Sequence, residues 1–285
     1  MSYFIIEGTF HVKGKQPDGD SVRFIASNPA NWKKLNGPRV GLNDDQQAQL
    51  RMEAIDALET HYKGCHQPWK CATTARTYLL KQLKIKNIVW NEKQTKVTSA
   101  IDGTKGYILT NEIEPYHRPV SFVFTGEPEE DDGSEVFLDS KWLKKSLNYK
   151  LIKEGLAYPT YYENFFPELR EEFNQAVDKV KKKKTGIWPY DKTNTGVSIE
   201  ADSVTEDIIL PKLFRRIVGH LKKGGKPEGF INYLKTDEDP IEIASTGEST
   251  NLSEILVMEG DKVKLIPKIG DLVFTEKKPK PKVPE

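Results

Sequence analysis

Two short segments of the sequence bring carboxylates close together. Asp18 and Asp20 flank Gly19 at the tip of a predicted hairpin, where a tight turn can aim both side chains in one direction. Asp56 and Glu59 follow a predicted strand, and a turn after that strand would let both face the same hollow. Grouped carboxylates can bind a divalent cation or orient a water molecule. Taken singly, each could equally be a solvated surface charge.

Two arginines accompany these acids. Arg51 is expected to project from the predicted sheet beside Asp56 and Glu59. Arg118 ends the segment Tyr116-His117-Arg118, immediately before another predicted strand. A guanidinium offers paired donors that match the oxygens of a phosphate. The residue types therefore fit chemistry on a phosphate ester, although no single segment is specific for it.

The order of these segments resembles the staphylococcal nuclease, or thermonuclease, family. The similarity extends over about residues 3–188, with insertions at 28–45, 92–112 and 127–139. Each motif is weak alone, but the set occurs in the family's order with predicted helices between its members. The motifs are DGDS at 18–21, RMEAIDALET at 51–60, PYHR at 115–118, EGLA followed by two tyrosines at 154–162, and GIW at 186–188.

The resemblance implies a fold and an activity. The fold is α+β and mainly β: a five-stranded OB-fold barrel with packed helices. The activity is calcium-dependent and largely sequence-nonspecific hydrolysis of phosphodiester bonds in DNA, RNA or both, with single strands preferred. Attack in this family breaks the bond to the 5′ oxygen and leaves a 3′-phosphate. The chain is thus expected to be a hydrolase of the nuclease class.

The resemblance also assigns the acids. Asp20 and Asp56 match the family's calcium-binding carboxylates, and Asp18 matches an outer-shell carboxylate. Ala57 stands where the family usually has threonine and would contribute its backbone carbonyl, so the change need not weaken calcium binding. Glu59 matches the general base.

Matching residues on the substrate side follow in the same way. Arg51 and Arg118 match the two arginines that clamp the phosphate, and Tyr116 and Tyr161 match tyrosines that line the nucleotide pocket. For Tyr161, a place among the core aromatic residues is the alternative. Leu58 replaces the family's usual proline, which implies a slightly looser turn.

Apolar and polar residues alternate in the first third of the chain, which predicts antiparallel strands. We expect a hairpin over residues 3–26, an inserted loop over 27–45 and a third strand over 48–55. A helix is predicted at 71–83, followed by a strand at 85–90 that its apolar run places in the interior.

The later elements are predicted in the same way. The polar stretch 91–111 suggests an extra hairpin, 119–125 a strand, and 127–135 a solvated acidic loop, for which a metal-binding or regulatory role is the alternative. One helix is expected at 141–154 and another begins near Pro167.

Changes in composition divide the chain. We expect a nuclease-like domain at 1–195, a linker at 196–205, a small α+β module at 206–276 and a disordered tail at 277–285. The module's first helix is basic, which weakly favours a nucleic-acid contact; a solvated face, docking on the barrel and binding of a protein are the alternatives. The basic residues are Lys212, Arg215, Arg216, Lys222, Lys223 and Lys226.

Overall composition excludes little. The 43 Lys and Arg residues against 42 Asp and Glu give a net charge of +1, so any anion-binding site must be local. Two cysteines exclude a disulfide framework. No apolar run is long enough to predict a membrane span, and the first residues lack a signal peptide's pattern, so we expect a cytoplasmic protein.

Two further questions stay open at this stage. The cluster of His61, Cys65, His66 and Cys71 could bind zinc, form a Cys65–Cys71 disulfide or serve ordinary surface and packing roles. The alternative to a nuclease is a catalytically inactive OB-fold module that binds nucleic acid or protein. Retention of both clamp arginines and the matching acids favours the enzyme. The sequence indicates no particular protein partner.

Overall fold

A computed structural model describes residues 2–277. The predicted tail therefore lies outside the described residues, except for Lys277. Among the described residues, no helix has both the length and the apolar character that crossing a membrane requires. The helices are α1 (Trp69–Gln82), α2 (Ser140–Lys145), α3 (Leu147–Lys153), α4 (Pro167–Lys182), α5 (Ala201–Glu206), α6 (Pro211–Leu221) and α7 (Phe230–Lys235).

The strands are mostly short. In chain order they are β1 (Ser2–His11), β2 (Arg23–Ala26), β3 (Ala48–Gln49), β4 (Arg51–Met52), β5 (Ile55–Ala57), β6 (Lys86–Trp90), β7 (Val97–Ile101), β8 (Thr104–Ile113), β9 (Pro119–Thr125), β10 (Glu135–Phe137), β11 (Ala157–Pro159), β12 (Tyr161–Tyr162), β13 (Val197–Ser198), β14 (Pro240–Ile243), β15 (Glu248–Asn251), β16 (Leu256–Glu259), β17 (Lys262–Leu265) and β18 (Leu272–Phe274).

A nearly closed barrel forms the first part of the molecule. Its strands follow the order β3-β2-β1-β8-β9-β4. Because β3 and β4 are consecutive pieces of one extended segment, pairing of β3 with β2 and of β4 with β9 brings the two edges of the sheet together. Aromatic side chains such as Phe10, Phe24 and Phe122 fill the interior. This mixed α+β architecture confirms the expected barrel with several packed helices.

Two sequence predictions for residues 85–111 are wrong. The strand β6 was expected in the interior, but it pairs with β7 in a surface hairpin whose Val89 and Ile101 are 54% and 57% exposed. The strand β8 was assigned to an insertion, yet it pairs with both β1 and β9 at the centre of the barrel sheet. The apolar run of β6 is as long as that of β8, so local hydrophobicity could not tell them apart.

Smaller differences occur in three other segments. The expected inserted loop contains a 3-10 helix, Pro29–Lys34, whose Trp32 packs against Phe24. The helix expected at 141–154 is divided at Ser146, whose hydroxyl accepts the Tyr149 N–H and begins α3. The acidic loop is fastened to the barrel, since Asp132 accepts the backbone N–H of Glu7.

The C-terminal segment, residues 196–277, packs against the barrel. The strand β18 pairs in parallel with β12, and Asn174 on α4 donates to the Gly270 carbonyl. Residues 196–205, expected as a linker, carry β13 and α5 and bury Val197 and Val204. Apolar side chains of both parts belong to one continuous core. The division of the chain into domains near residue 195 stays a prediction.

Asp239 fastens α6 within the C-terminal segment. Its side chain is only 2% exposed, and it accepts two hydrogen bonds of 2.6 Å from Arg216. Lys212 approaches to 3.5 Å and Lys277 to 3.2 Å. Burial alone would raise the pKa of Asp239, but Lys212 and Arg216 lower it to about 2. The carboxylate therefore stabilises the fold in its ionised form.

The substitution Asp239→Asn is expected to cost about 3 kcal/mol of unfolding free energy, because it leaves Lys212 without its carboxylate partner and Arg216 and Lys277 with only the more exposed Asp237. In the parent chain this contribution should be complete above about pH 4, the unfolded pKa of an aspartate, and fall as the pH drops toward 2. Urea unfolding at several pH values measures both effects. Asp237→Asn is the control, since Asp237 is 40% exposed and should cost less than about 1 kcal/mol. Equal losses in the two variants would contradict this account.

Candidate active site

Most of the predicted site residues meet in one cavity. The cavity has a volume of about 430 Å³ and opens where the barrel edge meets the C-terminal segment. The predicted residues that line it are Asp18, Asp20, Arg51, Asp56, Glu59, Tyr116 and Arg118.

The turn after β4 positions the acids. Ala54 has a φ of +64° there, which reverses the chain between β4 and β5. The strand β5 then pairs with β11, so that Asp56 lies opposite Tyr158 in a fixed register. The backbone N–H of Ala57 donates to Asp20 Oδ2 over 2.9 Å. Ala57 thereby ties the hairpin tip to β5.

Close packing of the hairpin tip fixes Asp18 and Asp20. A Cβ on Gly19 would lie 2.6 Å from Ala57 Cβ and 2.9 Å from Ala75 Cβ, so glycine is needed for this approach. Asp18 Oδ1 accepts the Gly19 N–H over 2.9 Å. Asp18 and Asp20 both line the cavity.

Burial dominates the electrostatics of the acids. It raises the pKa of Asp18 and of Asp20 to about 7, and repulsion from a neighbouring aspartate acts in the same direction for each. Burial likewise raises the pKa of Glu59 to about 7, although Arg215 opposes the change. The surroundings therefore disfavour the ionised forms of Asp18, Asp20 and Glu59.

The basic side of the cavity is built from a strand and a turn. Arg51 projects from β4 and stacks on the Tyr162 ring, with the guanidinium carbon 4.2 Å from the ring centroid. Arg118 follows a turn in which His117 has a φ of +67°. Arg118 Nε donates to the buried carboxylate of Glu114 over 3.0 Å. Both guanidinium groups are thus held by packing or hydrogen bonds.

The prediction that Tyr161 lines the nucleotide pocket is wrong. Tyr161 is fully buried, stacks on Phe165 and donates to Asn174 Oδ1 over 2.9 Å. It is a core residue, as the alternative reading had it. Its neighbour Tyr162 lines the cavity together with Tyr116, which is 61% exposed. Successive residues of a strand point to opposite faces, so an error of one position exchanges core and cavity.

Sequence reasoning missed several charged residues of the cavity, and two of them from the C-terminal segment pair with predicted site residues. The Arg215 guanidinium on α6 donates two hydrogen bonds to Asp56, with an Nη1–Oδ1 distance of 3.0 Å and an Nη2–Oδ2 distance of 2.8 Å. It also donates to Glu59 Oε1 over 2.6 Å. Glu276 follows β18 and accepts a hydrogen bond of 2.8 Å from Arg51 Nη1. Burial would lower the pKa of Arg215, but Asp56 and Glu59 raise it well above its ordinary value.

The chemistry of the acids suits calcium. Asp18, Asp20 and Asp56 offer carboxylate oxygens, which are the ligands that calcium prefers. Their buried and mutually repelling charges would be relieved by a cation. Within residues 2–277, however, no three His, Cys, Asp or Glu side chains are assembled to hold a metal ion. Both oxygens of Asp56 are instead bonded to Arg215.

The His and Cys cluster does not form a second centre in the described part of the chain. Cys65 and Cys71 are free thiols, so the structure contains no Cys65–Cys71 disulfide. The His66 ring packs edge-on against Trp69, and His61 approaches Asp18 to 3.9 Å. Packing and hydrogen bonding account for these residues.

Comparison with protein families supports what the cavity suggests. Residues 49–190 match the model of the staphylococcal nuclease homologue family. The chain contains a domain of this family. The match includes Arg51, Asp56, Glu59 and Arg118, while Asp18 and Asp20 lie before its first residue. No curated protein matched the chain in a sequence search.

This match confirms the resemblance to the staphylococcal nuclease family and indicates the general class of the domain. The staphylococcal nuclease homologue domain is nuclease-like, and its general substrate is nucleic acid. Arg215 and Glu276 lie beyond the matched region. The cavity therefore combines residues of the matched region with residues from a further part of the chain.

Proposed function

We propose that the chain is a calcium-dependent, largely sequence-nonspecific nuclease that hydrolyses phosphodiester bonds of DNA, RNA or both. The observation that carries the proposal is the single cavity in which Asp20, Asp56 and Glu59 face Arg51 and Arg118. Acids grouped opposite two arginines fit a reaction in which a phosphodiester must be bound and water must attack it.

The two arginines would bind the phosphate. A phosphodiester carries one negative charge, and the transition state of its hydrolysis carries more. Arg51 and Arg118 offer forked donors to the non-bridging oxygens and remain charged throughout. Stacking of Arg51 on Tyr162 restricts the directions that its guanidinium can take. The arginines would therefore stabilise the transition state more than the substrate.

Four acids would bind calcium and activate the attacking water. Asp20 and Asp56 would hold calcium, with the Ala57 carbonyl as a further ligand and Asp18 behind them. Calcium, when bound, supplies positive charge close to the reacting phosphoryl group. Glu59 lies in the same cavity and would orient and deprotonate the attacking water. General-base catalysis of this kind contributes about 10²- to 10⁴-fold.

The exposed ring of Tyr116 supports a preference for single strands. Tyr116 is 61% exposed and lines the cavity. An unpaired base can stack on such a ring, whereas a base within a duplex is already stacked. As in the resembled family, water would displace the 5′ oxygen and leave a 3′-phosphate.

The competing function is binding without cleavage. The pairing of Arg215 with Asp56 and Glu59 favours it, because a permanent pair would keep calcium and water from these acids. The two functions differ in whether nucleic acid survives incubation with the protein.

Release of acid-soluble nucleotides from denatured DNA tests the proposal. The full chain is incubated with substrate while calcium is raised to millimolar concentration, with and without a chelator. We expect release that the chelator abolishes, slower release from duplex DNA, and 3′-phosphate ends on the products. Binding of the DNA with no chelator-sensitive release would support the competing function instead.

A further inference from the structure

The C-terminal segment contributes a cation to the acidic half of the cavity, which comprises Asp18, Asp20, Asp56 and Glu59. Arg215 makes three hydrogen bonds to the carboxylates of Asp56 and Glu59, at 2.6 to 3.0 Å. Forked pairs of this kind are among the stronger polar contacts in proteins. The guanidinium therefore satisfies the oxygens that a divalent cation and an attacking water would otherwise use.

The same segment contributes an anion to the basic half of the cavity, which comprises Arg51 and Arg118. Glu276 Oε2 lies 2.8 Å from Arg51 Nη1, and the two side chains are 26% and 20% exposed. A carboxylate that accepts from a guanidinium resembles a phosphate in charge and in geometry. Glu276 thus takes the position on Arg51 that a phosphodiester oxygen would need.

These two contacts are structurally separate. Arg215 belongs to α6, whereas Glu276 follows β18, and each meets the half of the cavity with the opposite charge. A single surface ion pair would be weak support for a function, but here the segment places a cation on the acidic half and an anion on the basic half. The segment covers the site as a ligand would.

We infer that the C-terminal segment autoinhibits this site: Arg215 occupies the cation-binding acids and Glu276 the phosphate-binding Arg51, so that calcium and substrate must displace them. The inference rests on the proposed function and adds its regulation. Calcium would compete with Arg215, and a phosphodiester with Glu276.

Displacement needs little movement of the backbone. The helix α6 is held by Gln67, whose side chain donates to the Ile209 carbonyl over 2.7 Å, and by the pairs of Arg216 and Lys212 with Asp239. Arg215 can leave the acids by rotation of its own long side chain. The competition is therefore between side chains and ligands, and opening of the whole segment is not required.

Calcium affinity tests the acidic half directly. Calorimetric titration of the full chain with calcium is compared for the parent, Arg215→Ala and Arg215→Lys. We expect Arg215→Ala to bind calcium about tenfold more tightly or better, since loss of a forked charged pair is worth that much. Arg215→Lys keeps the charge but loses the fork, so its affinity should lie between the two. Lys222→Ala, which removes an exposed cation of the same helical region, should match the parent.

Oligonucleotide affinity tests the basic half. Fluorescence anisotropy with single-stranded oligothymidylate in chelator measures binding without cleavage. Glu276→Gln should bind several-fold more tightly than the parent, and circular dichroism should show every variant folded. Unchanged or weaker calcium affinity in folded Arg215→Ala, or unchanged oligonucleotide affinity in Glu276→Gln, would overturn the inference.

The outcomes separate the inference from the proposed function. If the parent cleaves DNA with calcium but Arg215→Ala gains no calcium affinity, autoinhibition is wrong and the nuclease stands. If Arg215→Ala gains calcium affinity but no variant cleaves, the acids are covered by Arg215 as inferred and the nuclease is wrong. If neither chain binds calcium, both are overturned.

Discussion

Glu59→Gln should lower the rate of DNA cleavage by about a hundredfold or more, because the amide cannot accept a proton from the attacking water. The substitution keeps the size and shape of the side chain. It also removes the charge that Arg215 Nη1 meets over 2.6 Å, so it should make the acids more accessible to calcium and not less. A fall in rate despite easier calcium binding would point to the lost base.

Cleavage rates for this variant are measured on denatured DNA at saturating calcium. Glu168→Gln is the matched control, since Glu168 is exposed at the start of α4, away from the cavity. The control should cleave like the parent, and oligonucleotide binding in chelator should survive in both variants. Normal cleavage by Glu59→Gln would mean that another group activates the water.

Arg51→Gln should reduce the maximal rate by about 10²- to 10³-fold, the usual cost of removing one donor to a transition-state oxyanion. The amide retains hydrogen-bond donors but loses both the positive charge and the fork. Arg51→Lys restores the charge without the fork and should recover only part of the rate.

Single-turnover cleavage separates this loss from weaker substrate binding. Arg39→Gln serves as the control, because Arg39 is an exposed arginine outside the lining of the cavity. The variant Glu276→Gln removes the same salt bridge from its other side and should not slow the reaction. If Glu276→Gln and Arg51→Gln lost rate equally, the salt bridge itself and not the phosphate contact would be the important feature.

Asp20, Asp56 and Arg51 line one cavity, and their grouping was implied by the family resemblance, since Asp20 lies more than 30 residues before Asp56. The roles assigned to them stay predictions. The same resemblance implied a barrel with packed helices. The strand β8 was missed because its apolar run resembles that of β6, and only pairing with β1 and β9 distinguishes it.

The contribution of the C-terminal segment could not be read in this way. Arg215 was recognised as one basic residue among several on a helix, and the commonest expectation for such a residue is solvation. Its partners Asp56 and Glu59 lie more than 150 residues earlier, at separations of 159 and 156. No local pattern reveals that a polar helix face meets an acidic cavity. Glu276 gave still less signal, as a single acid beside a lysine-rich tail.

The most direct test is the calcium dependence of cleavage in the parent and in Arg215→Ala. Labelled single-stranded DNA is cut at increasing calcium concentrations by each full-length protein, with a chelator control at every point. Our account predicts cleavage that requires calcium in both, with the half-maximal concentration lower by about tenfold in Arg215→Ala. Absence of cleavage in both proteins, or cleavage that the chelator leaves intact, would contradict a calcium-dependent nuclease site in this cavity.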